Sequence, residues 1–261
     1  AFHPTNPNIL ASCSDDKTIK IWNISTGKRT LTLRGHSKRV MSVAWGPSGK
    51  QIASGSWDHK IKVWNTQSGD CEATLAGHSE RVTSVVWSPN GKHIASGSWD
   101  NTAKIWLTDT FECQLTLIGH SDFVRDIAFH PTNPNILASC SDDKTIKIWN
   151  ISTGKRTLTL RGHSKRVMSV AWGPSGKQIA SGSWDHKIKV WNTQSGDCEA
   201  TLAGHSERVT SVVWSPNGKH IASGSWDNTA KIWLTDTFEC QLTLIGHSDF
   251  VRDIAFHPTN P

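Results

Sequence analysis

An all-β fold of six similar four-stranded sheets is what this sequence predicts, and three features predict it. The dipeptide Gly-His recurs at residues 35, 77, 119, 162, 204 and 246, which counts the chain out in units of 42, 42 and 43 residues. Each unit holds four short apolar or β-branched runs separated by Gly, Pro, Asn or Asp turns, and none shows a helical stripe. A lone sheet of that size cannot bury both faces, so the units have to stack or close into a ring. Four strands at a period of about 40–45 residues match propeller blades.

The unit that opens at Gly35 shows each element in order. Its first strand, "RVMSVAW", puts Val40 and Val43 three apart but Val43 and Trp45 two apart, so a β-bulge must shift the alternation once. "GPSGK" then turns the chain. The runs "QIASGS" and "IKVW" flank a tight turn at Asp58, and "EATL" places Ala73 and Leu75 on one side of the last strand. The extra residue of the 43-residue spacing lies in "HPTNPNI" against "GPSGKQI", within a turn that absorbs it without moving a strand.

A longer period overlies the shorter one. Residues 1–127 and 128–254 are identical, and residues 255–261 repeat residues 1–7. Divergence marks natural duplications, so the identity points to a copied cassette, an engineered symmetric chain, with a very recent duplication as the alternative. The chain begins near the end of a first strand and finishes with a whole one, "FVRDIAF" at residues 250–256. Five blades are thus complete, and the sixth combines that C-terminal strand with the three N-terminal runs "NILASCS", "TIKIW" and "RTLTL". The expected result is one six-bladed propeller over residues 1–261, closed so that no sheet edge is bare. The two terminal heptads compete for one turn, and the C-terminal copy, attached to a whole strand, is expected to hold it. A monomer follows, with a strand-exchanged oligomer as the runner-up.

The Gly-His pairs, "ASGSWD" at residues 53–58 and 95–100, and the runs "IKVW" and "AKIW" resemble the WD-repeat β-propeller family over essentially the entire chain. One departure is that the family's Trp-Asp pair stands here as Trp22-Asn23, Trp64-Asn65 and Trp106-Leu107. Each unit carries His, Ser, Asp and Trp: His36, Ser54, Asp58 and Trp64 in one, then His78, Ser96, Asp100 and Trp106 in the next. A Ser-His-Asp triad comes to mind. Recurrence in every blade argues against it, because a catalytic constellation is needed once, whereas buried polar atoms need partners everywhere. The resemblance implies the same structural tetrad.

The resemblance also implies a partner-binding face at the residues beside the first-strand Val and before the turn Asp. In the first half these are Arg39, Met41 and Trp57, then Arg81, Thr83 and Trp99, then Phe123 and Arg125 with Asp142. The second half supplies Arg166, Met168 and Trp184, then Arg208, Thr210 and Trp226, then Phe250 and Arg252, with Asp15 in the clasp blade. Such a rim of Arg and Trp suits acidic or phosphorylated peptides. The competing reading has each Arg merely stacked on a neighbouring Trp.

Other function classes are weakened. The net charge of +6, +3 for each identical half, comes from scattered Lys and Arg, which disfavours nucleic acid as a partner and leaves a weak nucleic-acid binder as an alternative. The six cysteines, in no CxxC spacing, read as small core fillers rather than a disulfide framework. His59, His93 and His130 read as scattered surface residues, so no metal is expected, and with no Walker or dinucleotide motif no cofactor is expected either. No apolar run reaches membrane length and no targeting signal is read, which places the chain in the cytoplasm if it is natural. The sequence therefore predicts a non-enzymatic symmetric scaffold with no assigned ligand, or a peptide-interaction module.

Overall fold

In the computed structural model, which describes residues 1–259, every regular element is a strand. The chain divides into two compact units, Ala1–Ile127 and Ala128–Pro261, at the boundary between the identical halves. In the first unit, β1 (Ile9–Cys13), β2 (Thr18–Asn23) and β3 (Lys28–Arg34) form a three-stranded sheet. The next sheet is four-stranded: β4 (Val40–Trp45), β5 (Gln51–Ser56), β6 (Lys60–Asn65) and β7 (Cys71–Ala76). A further four-stranded sheet follows from β8 (Val82–Trp87), β9 (His93–Ser98), β10 (Thr102–Leu107) and β11 (Cys113–Ile118). Strand β12 (Val124–Phe129) crosses the boundary and heads a sheet with β13 (Ile136–Ser141), β14 (Thr145–Asn150) and β15 (Lys155–Arg161). The second unit continues with β16 (Val167–Trp172), β17 (Gln178–Ser183), β18 (Lys187–Asn192) and β19 (Cys198–Ala203). It ends with β20 (Val209–Trp214), β21 (His220–Ser225), β22 (Ala230–Leu234) and β23 (Cys240–Leu244).

Among the described residues the ladders are antiparallel meanders, as alternating runs joined by short turns require. The bulge expected from Val40 and Val43 is present: the register shifts between Val40 and Ser42, and again at Val82/Ser84. A second bulge, between Val63 and Trp64, was not foreseen. Within a unit each sheet packs face to face on the next. Ile19, Ile21 and Leu33 of one sheet meet Val40, Trp45, Ile52 and Trp64 of its neighbour. One sheet on, Ile61, Val63 and Leu75 meet Val82, Val85, Ile94 and Trp106. Glycine at residue 55 is what lets these faces close: a Cβ there would lie 2.7 Å from Val82 Cγ1.

Two expectations need correction. Residues 250–256 form no strand, and the sheet of β1–β3 stays three-stranded. The N-terminal heptad takes the upper part of that edge instead. Ala1 and Ala11 exchange both backbone hydrogen bonds at 2.9 Å, Phe2 bridges Leu10, and the Trp45 indole donates to the Ala1 carbonyl at 3.0 Å. The C-terminal segment nevertheless lies against its own preceding sheet as β12 does. Thr210 Oγ1 donates to Val251 O at 2.5 Å and Ser211 Oγ to Asp253 at 2.8 Å, repeating the bonds of Thr83 to Val124 and Ser84 to Asp126.

The cysteines are the second correction. Cys140 is buried and Cys13 half-buried, but Cys71, Cys113, Cys198 and Cys240 are exposed. They open the fourth strands, where β7, β11 and β19 each bury one position, such as Leu75 or Leu117, and β23 buries none.

Candidate functional site

Two polar systems recur along the sheets. The first is the buried tetrad. Trp64 Nε1 donates to Ser54 Oγ at 2.8 Å, Ser54 Oγ sits 2.7 Å from His36 Nε2, and His36 Nδ1 sits 2.8 Å from Asp58 Oδ2, which also accepts from Ser37 N at 3.0 Å. Donor chemistry fixes the direction: an indole only donates and a carboxylate only accepts, so the serine hydroxyl donates to Nε2 and Nδ1–H donates to Asp58. His78, Ser96, Asp100 and Trp106 repeat the geometry at 2.6–2.8 Å, as do His163 with Asp185 and His205 with Asp227. The glycine before each histidine makes room for the tryptophan. At Gly35 φ is +151°, and a Cβ would come within 3.2 Å of Trp64 Cη2.

This arrangement does no hydrolytic chemistry. Ser54 and Ser96 are fully buried, and the oxygen that would attack a substrate already accepts an indole hydrogen bond. In the sheet of β1–β3 the chain of bonds is shorter: Trp22 still donates to Ser12 at 2.8 Å, while Asp16 accepts from Thr18 and Lys20.

Burial raises the Asp58 carboxyl, but hydrogen bonds from His36 and Ser37 outweigh it and hold the group at about 2, as at Asp185. Burial pushes His78 and His205 below the ordinary histidine value despite the carboxylates beside them. Both directions carry one sign. The unfolded chain binds more protons, so stability is full above the unfolded values of 6.5 and 3.8 and is lost as pH falls through the folded ones. Melting temperature is expected to fall steadily from neutral pH toward pH about 2. A flat profile between pH 7 and about 4 in thermal melts would count against neutral buried histidines.

The second system is a ladder of arginines and aromatic rings at the turn end of the sheets. Trp57 N donates to Arg39 O at 2.9 Å and Trp99 N to Arg81 O at 3.0 Å, so each ring is tied to the arginine of its own sheet. The guanidinium of Arg39 lies 4.9 Å from the Trp57 ring centre, and that of Arg81 lies 4.0 Å from Trp57 and 4.4 Å from Trp99. Arg125 ends the ladder at 5.1 Å from Trp99 and 5.5 Å from Phe123, whose ring stacks on Trp99 at 4.7 Å. The second unit repeats it: Arg166 over Trp184, Arg208 between Trp184 and Trp226, and Phe250 stacked on Trp226 at 4.3 Å.

The structure thus brings most of the rim residues together, with exceptions. Thr83 and Thr210 spend their hydroxyls on backbone carbonyls, Thr83 on those of Gly97 and Val124 and Thr210 on those of Gly224 and Val251, which makes them packing residues. Met41 is exposed beside the ladder, Met168 is half-buried, and Arg252 is exposed. Sequence reasoning missed the ion pairs Arg39–Asp15 at 3.0 Å and Arg166–Asp142 at 3.5 Å. It also missed that His130 packs against Trp172 at 4.7 Å, its Nδ1 accepting from Thr132 and Asn133 amides. Among the described residues no three His, Cys, Asp or Glu side chains are placed to hold a metal ion, and no helix is long and apolar enough to cross a membrane.

Meandering sheets pinned by a recurring Trp–Ser–His–Asp chain define a β-repeat protein. The family model for the WD domain, G-beta repeat, matches residues 1–23, 27–65, 69–106, 111–150, 154–192, 196–233 and 238–261, and the chain belongs to that WD40 family. It is 47% identical over 53 residues to Coronin-7 of Mus musculus, covering 20% of this chain and 6% of the relative. It is 55% identical over 42 residues to the nuclear distribution protein PAC1 of Komagataella phaffii, covering 16% of this chain and 8% of the relative. Against the probable cytosolic iron-sulfur protein assembly protein Ciao1 of Culex quinquefasciatus, 42% identity extends over 57 residues, 20% of this chain and 17% of the relative. The chain therefore spans only a small part of the length of the curated relatives it matches.

Proposed function

We propose that the chain is a non-enzymatic interaction scaffold that binds acidic or phosphorylated peptides along the Arg/Trp ladder of each unit. The alternation of guanidinium and indole carries this reading, because it places cationic N–H donors and flat apolar area on one surface. A pool of acidic and phosphorylated peptides should bind with an affinity that falls as salt rises, while neutral counterparts should not. Silence across both classes would refute the reading.

As the frame for this surface we propose a single ring of six sheets, closed beside β1 by the C-terminal segment next to the part of the edge that Ala1 and Phe2 hold. Identical residues support it by their unequal cover. Leu137, Trp149 and Ile151 are buried, whereas their copies Leu10, Trp22 and Ile24 line an open cavity of about 470 Å³. Likewise Leu117 is buried and its copy Leu244 is 47% exposed. Light scattering should then report the mass of one chain at all concentrations, and a mass that grows with concentration would favour strand exchange between chains. The identity of the halves supports a copied, engineered cassette.

A further inference from the structure

We infer that Arg81, with its copy Arg208, is the anchor of the ladder: it receives one carboxylate or phosphate of an extended peptide, and the neighbouring arginines do not. The inference rests on the peptide-binding reading and narrows it to one residue in each unit.

The arginines of the first unit differ in what they already hold. Arg39 is paired with Asp15 at 3.0 Å, so its charge is matched before any ligand arrives. Arg125 lies at the margin, more than 5 Å from either of its rings. Arg81 is different. Two indoles, their ring centres 5.9 Å apart, contact its guanidinium at 4.0 and 4.4 Å, and among the described residues its side chain makes no hydrogen bond and no ion pair. It is half-buried.

Contact with two rings restrains the guanidinium and leaves its N–H donors to be satisfied. A cation partly withdrawn from water and without a counter-charge gains more from an arriving anion than one already paired. Because the side chain is already restrained by both rings, less rotamer freedom is lost on binding. Two coplanar oxygens meet two parallel N–H groups, which is the geometry of a carboxylate or of one edge of a phosphate. The stacked rings beside it, Trp99 on Phe123 with 3° between planes, offer a flat ledge for an apolar side chain next to the acidic one. Arg208 reproduces the same two distances in the second unit, and Trp226 and Phe250 reproduce the ledge.

The test uses the full chain and three fluorescent peptides: acetyl-Phe-Glu-Phe-amide, its Gln counterpart and its phosphoserine counterpart. Binding of the Glu peptide should weaken about tenfold or more in the R81Q/R208Q chain, as it does for the Gln peptide. It should change by less than about twofold in the R39Q/R166Q chain. The R81K/R208K chain keeps the charge but not the fork and should recover only part of the affinity. Melting curves of all three chains should match the parent, since none of these side chains lies in the sheet core. Whichever of the Glu and phosphoserine peptides binds more tightly names the source of the oxyanion, and the same dependence on Arg81 is required of it. Binding that survives R81Q/R208Q but is lost in R39Q/R166Q overturns the anchor and leaves the ladder standing. Equal binding of the Gln peptide, or no binding of any, overturns the ladder reading itself.

Discussion

Replacing Trp64 with alanine is expected to lower the unfolding free energy by about 3–5 kcal/mol, read from urea denaturation. The ring is almost wholly buried and sits where two sheets meet, against a cluster that includes Ile19, Leu33 and Val40. Its far edge fills the space left by the missing side chain at Gly35, and its indole N–H fills one acceptor site of Ser54. Alanine would open a cavity at the sheet interface and at the same time free the serine that orients His36. Phenylalanine separates the two contributions. It keeps most of the packing and loses the hydrogen bond, so about 1–2 kcal/mol is expected from it. A Trp64→Ala variant that melts like the parent would show that the ring does not hold the sheets together.

The second large effect is at Asp58. Its carboxylate accepts from His36 at 2.8 Å and from the amides of Ser37 and Lys60 at 3.0 and 3.1 Å. Alanine leaves all three donors without that acceptor, in a place where His36 Nδ1 is shut off from water, and about 1–3 kcal/mol should be lost. The loss should be pH-dependent with a definite sign. Because the carboxyl is held at about 2 in the folded chain, its contribution is complete above the unfolded value of 3.8 and vanishes as pH falls toward 2. Parent and Asp58→Ala chains should therefore converge in stability at the acid end. Curves that stay parallel down to that pH would mean that the carboxylate is not the group being protonated.

Strand order and the first bulge were legible because both leave a mark on the order of apolar residues: Val40, Val43 and Trp45 break the alternation where the ladder shifts. The bulge at Val63/Trp64 leaves no such mark, since its extra residue, Glu72, lies on the facing strand, where Cys71, Ala73 and Leu75 keep alternating. The tetrad was legible through recurrence, which single-site chemistry does not produce. The ion pair of Arg39 with Asp15 was not, because its members lie on different sheets and no local spacing brings them together. The exposed cysteines misled for a related reason. "CEATL" reads as an apolar strand, and only the sheet order shows that β7 is an outermost strand with most of its side chains in water. The sequence ranked the identical terminal heptads only by the whole strand attached to the C-terminal copy, a cue that does not say which copy reaches the edge. The backbone pairing of Ala1 with Ala11 decides between them, and that pairing is a property of the folded edge.

The central claim is that the stacked Arg/Trp surface, and not the buried tetrad, carries the protein's function, and that each half of the chain owns one such surface. Calorimetric titration with acetyl-Phe-Glu-Phe-amide tests it most directly. Two equivalent binding sites per chain are predicted. A single site, or none, would contradict it.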